Sequence, residues 1–273
     1  MRPTTCISLI TIFALVAPLA LADEAPVGDT PLTGRQIMEL VDARDTGDNN
    51  TQDMEMILID KNGSRRERTI RALGRDVGED SQSIMFFLSP ADVKDTGFLT
   101  YDFDDEEKDD DQWLYLPALK KTKRIASSDK SGSFMGSDFS YSDMTDRNLD
   151  RYDYTLMKEG EVNGHKVWQI EAIPNTPKEI KETGYTKSVS FVRQDNFVVI
   201  RAVSWVKKGK RLKYFDVKEL ERIDGIWIPT EMHMTTKKGK TTLHKTIIKA
   251  HDVRFNQDID EDTFTVRKLE RGL

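Results

Sequence analysis

The chain has 273 residues, with 41 basic against 47 acidic side chains, 37% hydrophobic and 32% charged. That hydrophobic share suffices for a core, and the net charge of −6 argues against nucleic acid or an anionic membrane surface as the main partner. Cys6 is the single cysteine, which excludes an internal disulfide.

In chain order, residues 1–22 read as a signal peptide. Arg2 supplies the positive start, Ile7 to Leu21 an apolar stretch, and Ala20-Leu21-Ala22 the small-x-small cleavage pattern. The apolar stretch, about 15 residues, falls short of the ~20 that span a bilayer. Cys6 precedes it, too early for lipidation. The expectation is an unlipidated periplasmic protein beginning near Asp23, without cysteine, whose net charge passes from −6 to −7 on loss of Arg2. Residues 23–31 form a polar, flexible leader.

Thr33 to Gln36 reads as a capping box, and Ile37, Leu40 and Val41 follow at helical spacing, predicting a helix over roughly 33–45. Beyond it the hydrophobic period falls to two. Asn62-Gly63, Asn163-Gly164, Lys208-Gly209, Asp224-Gly225 and Lys238-Gly239, with Asp195-Asn196, sit between alternating segments as hairpin loops do. From about 185 to 254 they predict five strands in an uninterrupted meander. One further short helix is expected around 143–151. No Pro- or Gly-rich linker divides the chain, so 32–273 reads as one domain: mainly β, a single curved antiparallel sheet with few helices.

Two-residue loops also predict a register. One row runs Phe191, Ile200, Val217, Met232; its neighbour runs Val189, Ala202, Phe215, Met234, Leu243. Both lie on one face, which is almost wholly apolar. The other face carries Ser190, Arg201, Asp216, His233 and His244. A one-residue slip would mix the two faces. Five strands at ~4.8 Å make the apolar face close to 20 Å wide, and it needs a cover. With so little helix available, either the sheet curls into a packed barrel or a hydrophobic cleft stays open for a ligand.

Asp102 to Asp111 is strongly acidic but lacks the glycine of a calcium loop, so it reads as a solvated hairpin tip. His233 and His244 come out opposite each other with Glu231 nearby, a zinc-like trio that is better read as a cross-strand pair on the wet face. No metal or cofactor is expected. There is no Gly-x-Ser-x-Gly elbow, no His-Glu-x-x-His and no phosphate loop, and Ser190, Asp216 and His233 lie strands apart. No catalytic residue is assigned. Trp113 to Pro117 reads as a strand followed by a basic strand edge, Lys120 to Arg124. Gly132 to Asp143 is a Gly/Ser-rich loop holding Phe134, Met135, Phe139 and Tyr141. Loops normally shed such side chains, so these four pack on the sheet or on a ligand.

The leading signal, the helix before a long meander, Trp113-Leu-Tyr-Leu-Pro-Ala-Leu119 with basic residues after it, and Phe134-Met-Gly-Ser-Asp-Phe-Ser-Tyr-Ser-Asp143 resemble the outer-membrane lipoprotein-sorting-like proteins of the LolA/LolB-type periplasmic carrier superfamily. The resemblance covers about residues 32–268. It implies an unclosed half-barrel of about ten strands with helices across its mouth, a hydrophobic cavity for acyl chains, and work alongside an inner-membrane exporter of the RND type. The implied cargo is a lipid or an acylated protein, and the protein is expected to be a monomer. Cavity residues are then Phe191, Ile200, Ala202, Phe215, Val217, Met232, Met234 and Leu243, with Phe134, Met135, Phe139 and Tyr141 as its lip. The alternatives are an envelope sensor or adaptor that binds a protein partner through the same fold, and an enzyme using the His233/His244 face.

Overall fold

The first element forms as its capping box dictates. The Thr33 side chain accepts the Gln36 N–H, and the Thr33 N–H donates to the Gln36 side-chain oxygen, opening helix α1 (Gly34–Asp42). A computed structural model describes residues 31–105 and 107–273. The expected signal peptide and nearly all of the leader lie outside the described residues. Thr33–Leu273 is one compact unit.

Alternation then builds strands β1 (Asn49–Asp60), β2 (Arg65–Val77), β3 (Asp80–Ser89), β4 (Gly97–Asp102), β5 (Asp111–Leu116) and β6 (Lys121–Arg124). After a stretch of short 3-10 turns come β7 (Tyr152–Val162), β8 (His165–Pro174), α2 (Pro177–Thr183) and β9 (Tyr185–Arg193). The chain ends with β10 (Val199–Val206), β11 (Arg211–Ile223), β12 (Ile226–Lys238), β13 (Thr241–Phe255) and α3 (Val266–Arg271). All 13 strands form one antiparallel sheet in the order β6-β5-β4-β3-β2-β1-β13-β12-β11-β10-β9-β8-β7. β6 and β7 are its two edges and do not pair, so the sheet is a half-barrel, with three strands more than the resemblance implied. The five-strand meander is β9 to β13. Asn163-Gly164 and Asp224-Gly225 have φ of 51°/83° and 51°/92°, the left-handed pair that a two-residue hairpin turn needs.

The predicted register holds in the middle of the meander and fails at both ends. Ala202 pairs with Phe215, Phe215 with Met234 and Val217 with Met232, as expected. Between β9 and β10 a bulge at Ile200 slips the pairing by one, so Phe191 faces Arg201 and Ser190 faces Ala202. Between β12 and β13 the turn is Gly239-Lys240, and Leu243 is the extra residue of a bulge, not the partner of Met234. Met234 pairs with Thr246 and His233 with Ile247. His233 and His244 are therefore not opposite each other, and the zinc-like trio dissolves. The His233 imidazole meets Glu231 at 2.6 Å, and burial lowers its pKa below the ordinary value.

The corrected register makes the inner face longer than the sequence suggested. Phe215, Met234 and Thr246 continue into Leu58, while Val217, Met232 and Ile248 continue into Met56. Met54, Ile70 and Phe87 add a further row toward β3. On β3 to β5 the two faces are both covered. Phe87, Phe98 and Leu114 pack with the 134–144 segment inside, whereas Phe86, Leu99 and Trp113 pack outside with Phe264 and with Leu269 of α3. α3 thus seals the outer face. α1 lays Ile37 and Met38 against Ile170 and Val192 of β8 and β9. α2 and α3 were not foreseen, although Thr176-Pro177 before Gly184 and Thr265 before Gly272 are ordinary helix start and stop signals.

Gly34 shows how tightly α1 docks. A Cβ there would stand 2.7 Å from the backbone nitrogen of Leu156 on β7. Gly34→Ala must push the helix off that strand, and we expect a loss of about 1–3 kcal/mol, read as a lower denaturant midpoint at unchanged slope.

Candidate functional site

The segment between β6 and β7 folds back across the inner face as a finger. Ser133 and Ser140 form an isolated antiparallel bridge, the Phe134 N–H donates to the Phe139 carbonyl at 2.8 Å, and Met135 and Gly136 turn the tip with φ of 50° and 78°. Phe134 is wholly buried, its ring 4.9 Å from that of Phe98 and 5.7 Å, edge-on, from Tyr141. Phe139 is buried in the same cluster, and Met135 and Tyr141 pack against it. The four aromatic and methionine side chains predicted as a lip therefore plug the half-barrel.

Polar contacts pin this plug. The Asp138 carboxylate is buried and accepts from Thr236 Oγ1 at 2.5 Å and Thr246 Oγ1 at 2.8 Å, with His244 Nδ1 at 2.7 Å. The Asp138 N–H donates in turn to Thr246 Oγ1. Buried Arg68 donates to the Met135 carbonyl at 2.6 Å, and Gln112 donates to the Tyr141 carbonyl at 2.8 Å. A buried carboxylate bound by three side chains is a specific clamp, because each donor loses a charged acceptor if the finger lifts. Asp138 and Arg68 were missed in the sequence. The available signal was an acid directly before Phe139, between Phe134 and Tyr141, in a loop whose aromatic side chains must pack.

Beside the plug lies a cavity of about 770 Å³. Phe139, Phe215 and Met234 contribute to its wall, so it reaches the apolar inner face. Its outer part is acidic, with Asp42, Asp76, Asp102, Asp104, Asp110 and Asp146 around it. Part of the presumed solvated hairpin tip thus lines a cavity. The Asp146 N–H donates to Asp102 at 2.5 Å, and Lys130, itself buried, pairs with Asp110 at 3.1 Å. Burial, then the negative charge of Asp110, pushes the Asp102 carboxyl up to about 8. Burial, then Asp42, raises Asp146 as well. Among the described residues no cluster of His, Cys, Asp and Glu is arranged to hold a metal ion.

The Asp102 shift has a sign that can be tested. Its folded pKa lies above the unfolded value of ~4, so its stability contribution is full below that pH and lost as pH rises through about 8. Asp102→Asn should flatten the fall in stability between these limits and gain on the order of a few kcal/mol at the alkaline end, in denaturant titrations across pH.

Of the predicted cavity residues, Phe215 and Met234 line the open cavity. Ala202 shares their row, Val217 and Met232 form the neighbouring row, Ile200 and Phe191 pack in a neighbouring cluster with Val167 and Val198, and Leu243 stands on its bulge. A crystal structure of a DUF1329 family protein from Desulfovibrio piger is 31% identical, with 86% of this chain and 97% of that one covered, at a TM-score of 0.79. The chain belongs to the DUF1329 family. A family model described as an uncharacterized protein matches residues 79–271. A candidate outer membrane lipoprotein-sorting protein domain from Vibrio parahaemolyticus is 32% identical over 87% of this chain and 98% of its own, TM-score 0.79. A LolA superfamily protein from Nitrosomonas europaea, 18% identical with 87% of this chain and 100% of that one covered, shares the fold at a TM-score of 0.66. No curated protein matches. This DUF1329 chain thus has the LolA-type half-barrel that its Trp113 and Phe134 motifs resembled.

Proposed function

We propose that this protein is a non-catalytic periplasmic carrier that takes the acyl part of a lipid or lipoprotein onto its inner apolar face. The observation that supports this most is the finger. The half-barrel's apolar rows are covered by Phe134, Met135 and Phe139, side chains on a segment held by side-chain hydrogen bonds instead of by a strand of the sheet. When the finger lifts, an acyl chain replaces those side chains against Met54, Leu58, Met234 and Ile248. At ~25 cal/mol per Å², a few hundred Å² of buried acyl chain contributes several kcal/mol before ordering costs, enough for reversible carriage. The cavity wall at Phe215 and Met234 leads to this face. The resemblance of the two motifs to LolA-type carriers supports transfer between the envelope membranes, with an RND-type exporter of the inner membrane as donor and a monomer as carrier.

Solvent extraction and native mass spectrometry of the purified protein should return stoichiometric lipid, and a fluorescent fatty acid should bind the delipidated protein. Met234→Asp, which puts a charge on the shared wall, should abolish that binding while the fold persists. Absence of bound lipid together with no fatty-acid binding would refute the carrier reading.

A further inference from the structure

The whole-chain charge hides a separation that the topology makes plain. In an antiparallel sheet alternate connections lie at the same end of the barrel. The links β1–β2, β5–β6, β10–β11 and β12–β13 share one end, because Ile59 pairs with Arg65, Leu116 with Lys121, Val206 with Arg211 and Lys238 with Thr241. Each of these four links is basic. The two others that alternation puts at this end are not: β3–β4 holds Asp92, Lys94 and Asp95, and β8–β9 holds Lys178, Glu179, Lys181 and Glu182, with Lys178 paired to Asp109. The β10–β11 link carries Lys207, Lys208, Lys210 and Arg211. The β12–β13 link carries Lys237, Lys238 and Lys240, and the β5–β6 link Lys120 and Lys121. The β1–β2 link adds Lys61, Arg65 and Arg66 against Asp60 alone. Among the described residues none of these cations forms an ion pair with a carboxylate, whereas Lys130, Lys178 and Lys187 outside these four links do.

The other end is acidic. It holds Glu79 and Asp80 of the β2–β3 turn, the Asp102–Asp111 link, and Asp258, Asp260, Glu261 and Asp262 after β13. Asp80, Asp102 and Asp104 of this end also line the cavity. At the basic end, beside Lys120 and Lys121, Leu119 is 62% exposed on its turn and Ala118 next to it is exposed too. The finger tip lies toward this same end, since Arg68, which holds the Met135 carbonyl, sits near the start of β2.

We propose that the basic rim docks this protein on the surface of a bilayer rich in anionic phospholipid, with Leu119 entering the headgroup layer. Lysines spread over four separate links suit a diffuse plane of phosphates better than one shaped partner, because an ammonium is a hydrated point charge on a long flexible stem. An exposed leucine directly before two lysines adds the apolar contact that a polar protein face would not reward. The acidic end is repelled by the same surface, so the molecule stands with its rim on the membrane and its acidic end toward water. Docking in this pose brings the finger tip to the bilayer, next to the acyl chains that would displace it. In that respect the inference rests on the carrier reading, although docking itself does not need cargo.

Sedimentation of the whole mature protein with vesicles of phosphatidylcholine, or of phosphatidylcholine mixed with phosphatidylglycerol, tests this. Binding should appear only with phosphatidylglycerol and weaken as salt approaches physiological strength, where the Debye length is about 8 Å. Each rim lysine changed to glutamine should lower the partition coefficient about five-fold, the equivalent of about 1 kcal/mol, so K207Q/K208Q/K210Q should lose about a hundred-fold. Leu119→Ser should cost less than that triple. K158Q/K166Q, on exposed positions of β7 and β8, should bind as the parent does. Equal binding to both vesicle types, or a rim triple that behaves like the control pair, would overturn the proposal. So would failure to bind anionic vesicles at low salt, an outcome that would leave an acidic protein as the rim's partner. Fatty-acid binding measured without vesicles should be unchanged in the rim variants, which separates failure of docking from failure of carriage.

Discussion

Asp138→Ala should lower stability by about 3 kcal/mol and at the same time increase binding of an apolar probe. The carboxylate is buried against Thr236, Thr246 and His244, and all three lose this partner once it is gone. A buried donor left without an acceptor costs about 1–3 kcal/mol, and His244, partly exposed, recovers some of this from water. For a domain of this size that is a fall in Tm of roughly 6–12 °C. Thr246→Val removes a donor to the carboxylate and, with it, the acceptor of the buried Asp138 N–H, and should cost about 2 kcal/mol. The diagnostic is the pairing of the two effects. An ordinary core lesion lowers Tm without exposing a defined face, whereas releasing the finger uncovers the rows around Met54, Leu58 and Ile248. A large Tm loss with no gain in saturable fatty-acid binding would mean that the finger is a fixed part of the core.

The sequence made the sheet legible because two independent signals agreed in it. The turn pairs place the hairpins, and alternation places the faces. Where both held, as from Ala202 through Phe215 to Met234, the rows came out correctly. Where the strands bulge, at Ile200 and Leu243, one inserted residue changed every pair beyond it. Alternation does not report the insertion, because apolar residues stand on both faces beside Ile200 and polar ones on both faces beside Leu243. The zinc-like reading of His233 and His244 fell with that register. The finger was half legible. Its aromatic content showed that it must pack, but the clamp on Asp138 joins residues about 100 positions apart, Thr236 at 98 and Thr246 at 108. No local pattern carries such a pairing. Charge segregation was hidden for a different reason. A summed net charge discards position, and only the antiparallel topology assigns each lysine-bearing turn to one end.

Phe134→Ala should cost about 3–5 kcal/mol, since a fully buried ring packed against Phe98, Phe87 and Tyr141 leaves a cavity that the half-barrel cannot collapse to fill. Its use lies in what a ligand does to that loss. If the ring holds the place of an acyl chain, the variant's vacated space is a preformed part of the cargo site. A long-chain fatty acid should then raise the variant's Tm more than the parent's, because the parent must first spend free energy displacing the finger. At a hundredfold excess over Kd, the variant should regain about 2.7 kcal/mol, most of what the substitution removed. The parent's gain is smaller by the cost of lifting the finger, and Asp138→Ala, which reduces that cost, should fall between the two. Equal shifts in all three proteins would separate the fatty-acid site from the finger, and the cargo face would then have to be sought in the open cavity at Phe215 and Met234.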